Sequence, residues 1–440
     1  MPKPDSLARN SVYLMATTGV NSALGYVYWI AAAHAFSPHD VGLANALIAA
    51  MTLASLVANL GVPIALVEIL PRRPDDRAWS TTLLAGLAVA VAGSLLAGIL
   101  VAFGLPGISS RFSVLSQPLY SAAFVVGVPT WSAVTILDYT FVAERRAGRM
   151  LTRNAAFGAV KLAVLAIPVV LVHGSALWIL LSWIIAGLLS LLMGLWLLRS
   201  LGRRLCPPGA GELVIELRAT WARLAGHHLT TLGALLPMSL LPLLVTVRLS
   251  ALDNAYFALT WMVGGVFLVV SPAVASSLLA EGAHAPEAAR RHALRALWIV
   301  GGLLIVPMAI CLLGADQILG LFGPGYPEHG AALLRVVVLS AIPDALTNIW
   351  VSYERAMGRL RRTALLNVGM GAATLLLAWV LLPSRGIAGV GWGWLAAQTL
   401  GTVAAACLVA RDQRPRAKLA VGSDVSLLRG RPDARGLGAE

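Results

Sequence analysis

The sequence predicts an all-α integral membrane protein with twelve transmembrane helices in two pseudo-symmetric, parallel six-helix lobes and both termini in the cytoplasm. Three observations lead to this prediction: the composition, the spacing of the apolar segments and an internal repeat. Of the 440 residues, 58% are hydrophobic and 12% are charged, and the mean hydropathy is +0.80. Soluble domains carry about 25% charged residues. We therefore expect lipid to be the solvent of this chain.

Twelve apolar segments are long enough to cross a membrane, which takes about 20 residues in a helix. They are 10–34, 41–66, 80–104, 118–143, 154–172, 176–198, 224–247, 255–280, 297–314, 331–351, 364–382 and 389–410. The longest internal connection contains Pro207-Pro208-Gly209 and is expected to act as a hinge. The predicted divisions are an N-lobe (1–200), a cytoplasmic linker (201–223), a C-lobe (224–410) and a basic, disordered tail (411–440).

Three short motifs occur twice at nearly constant separation. Glu-Arg-x-x-Gly-Arg starts at Glu144 and again at Glu354, 210 residues later. Ser37-x-x-Asp40 recurs at Ser250 with an offset of 213. Gly174-x-Ala176 and Gly386-x-Ala388 are 212 residues apart. The offsets indicate a duplicated unit of about 210 residues. A six-helix unit returns to its starting side, so the two halves run parallel.

The basic residues predict the orientation. If the N-terminus is cytoplasmic, 28 of the 33 Lys and Arg residues lie in cytoplasmic segments and only Arg111, Arg248 and Arg385 lie outside. Such a bias places both termini inside. It also accounts for the net charge of +13 without a nucleic-acid partner. The two remaining cations, Lys161 and Arg335, fall within predicted helices.

Uncharged polar residues form helical faces that could line a substrate cavity. The candidates are Asn21 and Ser22 in the first helix, Asn45, Thr52 and Asn59 in the second, and His228 in the seventh. Such faces either join helices or line a wet cavity, and both interpretations remain open. Amides and hydroxyls would suit a sugar chain because they donate and accept hydrogen bonds. Lys161 and Arg335 either snorkel to the interface or attract a lipid pyrophosphate.

Two acids are candidates for ion coupling. Asp344 precedes Glu354 by ten residues and so lies about 15 Å from the cytoplasmic loop, near the centre of the hydrocarbon core. Thr347 and Asn348 share its helical face. An acid at this depth either carries a proton or sodium ion or is hydrogen-bonded between helices. Asp138 is the second candidate, although it could reach the interface.

The repeated Glu-Arg-x-x-Gly-Arg loops are a candidate cytoplasmic gate. Their charged residues could pair across the two lobes, or they could simply anchor the cytoplasmic side through positive charge. The gate candidates are Glu144, Arg145, Arg149, Glu354, Arg355 and Arg359.

Several stretches resemble one family of membrane transporters. They are Tyr353–Arg359, Leu382–Gly389, Phe36–Gly42 and Ile318–Tyr326. The chain is similar in these stretches to polysaccharide flippases of the multidrug/oligosaccharidyl-lipid/polysaccharide exporter superfamily. The resemblance implies two six-helix lobes around a central cavity. It also implies alternating access that carries a lipid-linked oligosaccharide outward for polysaccharide biosynthesis.

The predicted function is therefore transport across the cell membrane by a multi-pass protein, and not enzymatic catalysis. No phosphate-binding loop, metal-ligand cluster or nucleophile elbow occurs in the sequence, and we expect neither cofactor nor metal. The expected partners are a lipid-linked glycan, membrane lipids and glycan polymerases or glycosyltransferases, with the transporter itself a monomer. Two alternatives remain: an ion-coupled drug antiporter of the same superfamily, and a membrane glycan polymerase or ligase.

Overall fold

The computed structural model describes residues 7–171, 174–199, 201–203, 205–284, 289–357 and 359–413, and within them it is all-helical. The helices are α1 (Leu7–Ala35), α2 (Pro38–Ala58), α3 (Val62–Ile69), α4 (Asp76–Ile108), α5 (Pro118–Ala143), α6 (Ala147–Leu171), α7 (Ala176–Arg199), α8 (Ala210–Arg248), α9 (Ala251–His284), α10 (Ala289–Leu313), α11 (Ala315–Gly320), α12 (Tyr326–Ala356), α13 (Leu360–Arg385) and α14 (Ala388–Gln413). The predicted all-α class is confirmed for these residues. Residues 414–440 of the predicted tail lie outside them.

Ten helices are long and apolar enough to cross a membrane among the residues described. They are α2, α4, α5, α6, α7, α9, α10, α12, α13 and α14. The other two predicted spans correspond to α1 and α8. In α8, Leu236–Arg248 is a shorter apolar helix among the described residues. The structure is thus that of a multi-pass membrane protein, and the count of twelve spans stays a prediction.

Two helices begin or end at other residues than the predicted spans 41–66 and 224–247. The span predicted for 41–66 is interrupted after α2, where Leu60 and Gly61 adopt positive φ angles of 48° and 77°. Left-handed residues end an α-helix, so the chain restarts as α3. The predicted linker 201–223 is helical from Ala210 onward. There the Glu212 carboxylate accepts a hydrogen bond from the backbone N–H of Gly209 at 2.9 Å and caps α8.

The repeated sequence motifs occupy equivalent places in the two halves. At the start of α2, the Ser37 hydroxyl accepts a hydrogen bond from the backbone N–H of Asp40 and donates one to its carboxylate, at 3.1 and 2.6 Å. Ser250 makes the same two bonds with Asp253 at the start of α9, at 3.0 and 2.5 Å. A serine at the N-cap satisfies an orphan backbone donor of the first turn. The internal repeat is therefore also a repeat of local structure.

The two halves meet backbone to backbone where α2 and α9 begin, a region we call the α2/α9 end. Gly42 packs so closely that a Cβ atom there would overlap the carbonyl oxygen of Ala251 and lie 2.7 Å from the amide nitrogen of Ala255. The fully buried Asn254 donates to the Gly42 carbonyl at 2.8 Å. The N-lobe and C-lobe helices are thus in direct contact at this end.

Helix α8 is bound to both halves. Near its start, Glu212 pairs with Arg77 at 2.8 Å, and Glu216 pairs with Arg73 and accepts a hydrogen bond from Thr82 at 3.0 Å. The backbone N–H of Gly209 and then the Arg77 guanidinium hold the pKa of Glu212 below its ordinary value. Further along, α8 packs on α9 and α13. The N-terminal part of this helix is therefore fixed to α4 and its surroundings in the N-lobe.

Candidate substrate-binding cavity

A cavity with a volume of about 920 Å³ lies between the two halves. Helices α1, α5, α6 and α7 form its wall on the N-lobe side, and α9 and α10 form the opposite wall. Cavities of 300–1,000 Å³ are typical of small-molecule sites. The sequence had placed Asn21, Ser22, Lys161 and Asp138 at functional sites, and all four line this cavity.

The two walls differ in chemistry. Among the described lining residues, every hydrogen-bonding or charged side chain belongs to the N-lobe; besides the four predicted residues, they include Thr135, Asn154 and several aromatic residues. The described residues of the C-lobe wall are all apolar: Met262, Gly265, Val266, Val269, Val270, Val274 and Leu303. The cavity is therefore amphipathic, with a polar and an apolar side facing each other.

Lys161 is held in an aromatic cage. Its ammonium group lies 4.2 Å from the ring centroids of both Tyr28 and Trp183 and 5.2 Å from that of Phe157. The side chain is only 5% exposed. The negative faces of aromatic rings stabilise a cation. Among the described residues no carboxylate or other acceptor bonds this ammonium, so its N–H donors remain for a ligand in the cavity.

Asp138 is neutralised by an arginine that the sequence analysis did not single out. Arg153, on α6, is fully buried and approaches the Asp138 carboxylate to 2.5 Å. Asn154 donates to the same carboxylate at 3.1 Å, and Arg153 also donates to the Ser190 hydroxyl at 3.0 Å. With this pair neutral overall, Lys161 is the remaining charged side chain in the described lining.

A second, smaller cavity of about 370 Å³ lies beside the first. Thr52 and Asn59, both predicted for the substrate site, line it together with Ser55 and Ser239. The side chains of Trp131 and Thr135 line both cavities, so the two cavities adjoin at these residues. The polar face of α2 thus faces a cavity of its own.

Asp344 lies outside both cavities, in a polar cluster behind the apolar wall. Its carboxylate accepts hydrogen bonds from the Ser271 hydroxyl at 2.6 Å and from the Asn348 amide at 2.9 Å. Ser271 belongs to α9. It lies one position after Val270 and three before Val274, and both valines line the cavity. The acid is 5% exposed. The predicted proximity of Asp344 and Asn348 is confirmed.

Three other predicted cavity residues lie elsewhere or are not described. Asn45 lies at the contact between α2 and α9, where its amide oxygen accepts from Asn254 at 3.3 Å. Arg335 does not face the cavity, because its guanidinium pairs with Asp316 at 2.7 Å in an exposed position. The side chain of His228 lies outside the described residues.

The two glutamates of the predicted cytoplasmic gate are paired within their own halves. Glu144 accepts a hydrogen bond from the Trp79 indole at 2.7 Å. Glu354 pairs with Arg359 at 3.1 Å and with Arg362 at 3.6 Å. Among the described residues these carboxylates form no latch across the lobes in this conformation.

The aromatic residues of the N-lobe wall were missed by the sequence analysis. Trp131 lies 5.5 Å from Trp183 and 6.0 Å from Phe157, measured between ring centroids. One signal was present: Phe157 precedes Lys161 by four residues, and Trp131 precedes Thr135 by four, so each pair shares a helical face. Their convergence with α1 and α7 required the tertiary structure.

Solved structures with the same fold are transporters. No protein-family model matches the sequence, and no curated protein matches it either. A structure described as "Lipid II flippase MurJ, inward closed conformation" has a TM-score of 0.72 at 13% identity and covers 91% of this chain and 87% of its own. The "inward-facing conformation of a multidrug resistance MATE family transporter of the MOP superfamily" has a TM-score of 0.68 at 15% identity, covering 93% and 100%.

A third structure, MATE in complex with MaL6, has a TM-score of 0.62 at 12% identity and covers 92% of this chain and 95% of its own. Identities in this range establish the fold. The chain therefore has the fold of the MOP-superfamily transporters, which confirms the resemblance indicated by the sequence motifs.

Proposed function

We propose that this protein flips an anionic, lipid-linked oligosaccharide across the cell membrane by alternating access between its two lobes. The observation that carries the proposal is the division of the central cavity into a polar N-lobe wall and an apolar C-lobe wall. A substrate with a hydrophilic headgroup and a hydrocarbon chain matches both walls at once. The MurJ structure, whose description names a lipid II flippase, has the same fold.

The charges in the cavity favour an anionic headgroup over a cationic drug. The Asp138 carboxylate is already paired with Arg153, whereas the Lys161 ammonium has no acidic partner among the described residues. A cationic compound would meet this ammonium at close range in a desolvated cavity, where like charges repel strongly. A phosphate would instead accept its hydrogen bonds.

Alternating access needs an end that closes and reopens, and the α2/α9 end has the close packing this requires. The contacts of Gly42 with Ala251 and of Asn254 with Gly42 connect the halves without a covalent link. Under the orientation predicted from the basic residues, this end faces outward. The conformation described here then corresponds to a state that is closed to the outside.

Asp344 is the proposed coupling site. Its carboxylate binds Ser271 of α9, and the neighbouring residues of that helix form the apolar cavity wall. Ser271 is followed by Pro272, and Asp344 is preceded by Pro343, so both helices lack a backbone hydrogen bond at this point. Binding or loss of a proton or sodium ion at Asp344 would alter the contact between two locally weakened helices.

The substitution Asp344→Asn is expected to leave the protein folded and to remove the dependence of transport on an ion gradient. An amide oxygen can still accept the hydrogen bond from Ser271, but the group cannot ionise. Transport into proteoliposomes, measured with and without proton and sodium gradients, tests this. Ser271→Ala keeps the carboxylate and is the matched control, which should retain gradient dependence. If transport by Asp344→Asn still depends on the ion gradient, Asp344 has only a structural role.

The proposed function is tested in proteoliposomes that contain a polyprenyl-diphosphate oligosaccharide extracted from a bacterial membrane. Headgroups reaching the opposite leaflet are scored by their accessibility to an added glycosidase, with protein-free vesicles as the control. We expect protein-dependent exposure. Absence of exposure combined with efflux of a cationic dye would favour the drug antiporter, and glycosyl transfer by the purified protein would favour the polymerase or ligase.

A further inference from the structure

The cavity of Lys161 and the smaller cavity beside it adjoin and share the side chains of Trp131 and Thr135 in their linings. At one end is the caged ammonium, which touches Phe157 and Trp183. Both rings are in contact with Trp131. Trp131 in turn lines the smaller cavity. A ligand extending from Lys161 across Trp131 would pass from a cationic site over aromatic faces into a polar cavity.

The cationic end is built for a compact anion. Three aromatic rings hold the ammonium in place, and no acceptor bonds it among the described residues. The cage therefore stabilises the charge without using the N–H donors of the lysine. A phosphoryl oxygen is the acceptor that would make use of both properties, because hydrogen bonds between two ionised groups are the strongest available here.

The aromatic surface next to it is suited to a sugar ring. Trp131 and Phe157 are half-buried, and both line the cavity. One face of a pyranose presents C–H groups, which pack on the face of an aromatic ring, while the hydroxyl groups point away from it. A hydrocarbon chain would not need aromatic rings, since the opposite valine wall already provides an apolar surface.

The smaller cavity carries a buried hydroxyl without a partner. The Ser55 side chain lines this cavity, is 1% exposed in total, and its oxygen has no hydrogen-bond partner among the described residues. Leaving a buried polar group unsatisfied costs about 1–3 kcal/mol, so such a group marks a place for a ligand or water. Hydroxyls of a second sugar would provide both donors and acceptors there.

We propose that the headgroup binds in a fixed direction: phosphate at the Lys161 cage, the first sugar on Trp131 and Phe157, and the following sugar in the cavity of Ser55. This inference rests on the proposed function, which it specifies. In a glycosyl diphosphate the sugar is attached directly to phosphate, so the order of the three surfaces matches the order of the chemical groups. The lipid on the other side of the phosphate then reaches the valine wall.

The inference is tested by equilibrium binding of four farnesyl probes to the purified full-length protein. They are farnesyl diphosphate, its N-acetylglucosamine and chitobiose derivatives, and the uncharged farnesyl N-acetylglucosaminide. Ring stacking requires no particular pattern of hydroxyls, so these sugars suffice. The wild-type protein should bind more tightly with each added group, and should prefer the diphosphates to the uncharged glycoside.

Each variant should abolish the gain in affinity that one chemical group of the probes provides. Lys161→Met should weaken the binding of the diphosphate probes by roughly 10- to 100-fold and leave the affinity for the uncharged glycoside unchanged. Trp131→Leu should remove about a tenfold gain from the first sugar without affecting farnesyl diphosphate. Ser55→Ala should remove only the gain from the second sugar. Trp196→Leu, at an exposed position of α7, is the control and should bind all four probes like wild type.

The outcomes separate this inference from the function on which it rests. If the wild-type protein flips glycolipids in vesicles but Trp131→Leu weakens all four probes equally, the direction of binding is wrong and the function stands. The inference is also overturned if Lys161→Met binds the diphosphate probes with the same affinity as the wild-type protein. If the wild-type protein prefers no diphosphate to the uncharged glycoside and flips no glycolipid, both are wrong.

Discussion

The substitution Asp138→Asn is expected to lower the melting temperature by roughly 3–5 °C, through a loss of about 3–5 kcal/mol. Stability is lost because the substitution leaves the charge of Arg153 unbalanced. Arg153 is fully buried, and its guanidinium lies 2.5 Å from the Asp138 carboxylate, which balances its charge. Removing the negative charge leaves a cation in the protein interior with only neutral hydrogen-bond acceptors such as Ser190. Thermal unfolding of the purified protein in detergent measures the effect.

A matched control is the exposed pair between Asp316 and Arg335. Asp316→Asn makes the same chemical change where solvent screens both groups, and should cost less than about 1 kcal/mol. The double variant Asp138→Asn/Arg153→Met removes both charges and should regain much of the lost stability. If Asp138→Asn melts like wild type, the carboxylate does not balance the charge of Arg153.

The substitution Gly42→Ala is expected to open the α2/α9 end and to stop transport without unfolding the protein. A Cβ atom would overlap the Ala251 carbonyl oxygen, and neither backbone can move independently of its helix. Overpacking of this kind costs about 1–3 kcal/mol, which corresponds to a roughly 5- to 150-fold decrease in the closed population. The strain is relieved when the lobes separate, so it acts on one conformation only.

Spin labels at Leu119 and Leu321, two exposed positions near the α2/α9 end, would measure this opening in a cysteine-free background. The distance distribution of Gly42→Ala should shift to longer values. Gly19→Ala is the control: it makes the same change in a helix, but its Cβ would meet no atom within 4 Å. Unchanged distances and normal transport in Gly42→Ala would show that this contact does not close the cavity.

The helices and the repeat could be predicted because their signals are local. A run of about 20 apolar residues specifies a helix of membrane length, and Ser37 and Ser250 cap their helices through residues three positions away. The interruption at Leu60 and Gly61 was missed because the apolar pattern continues through it. The helical start of α8 was missed because its charged residues resemble those of a loop.

The candidate site was predictable only in part. Asn21 and Asn45 looked alike in sequence, as amides on polar helical faces. The structure places Asn21 in the cavity and Asn45 against Asn254. Periodicity identifies residues that share a face, but it does not say what that face meets. The cage of Lys161 needs side chains from α1, α6 and α7, and no sequence spacing relates residues of three separate helices.

Helix α8 begins inside the predicted linker 201–223 and continues into the second half of the chain. The duplication joins the two halves within the linker predicted for 201–223, yet Glu212 and Glu216 tie the following helix to Arg77 and Arg73 of the first half. A relative rotation of the lobes must therefore bend or twist α8 itself, and Pro237 and Pro242 are the interior positions that lack a backbone donor. The bend angle of α8 would then change with the rotation angle between the lobes. A molecule that stiffened it would arrest the transport cycle without entering the cavity.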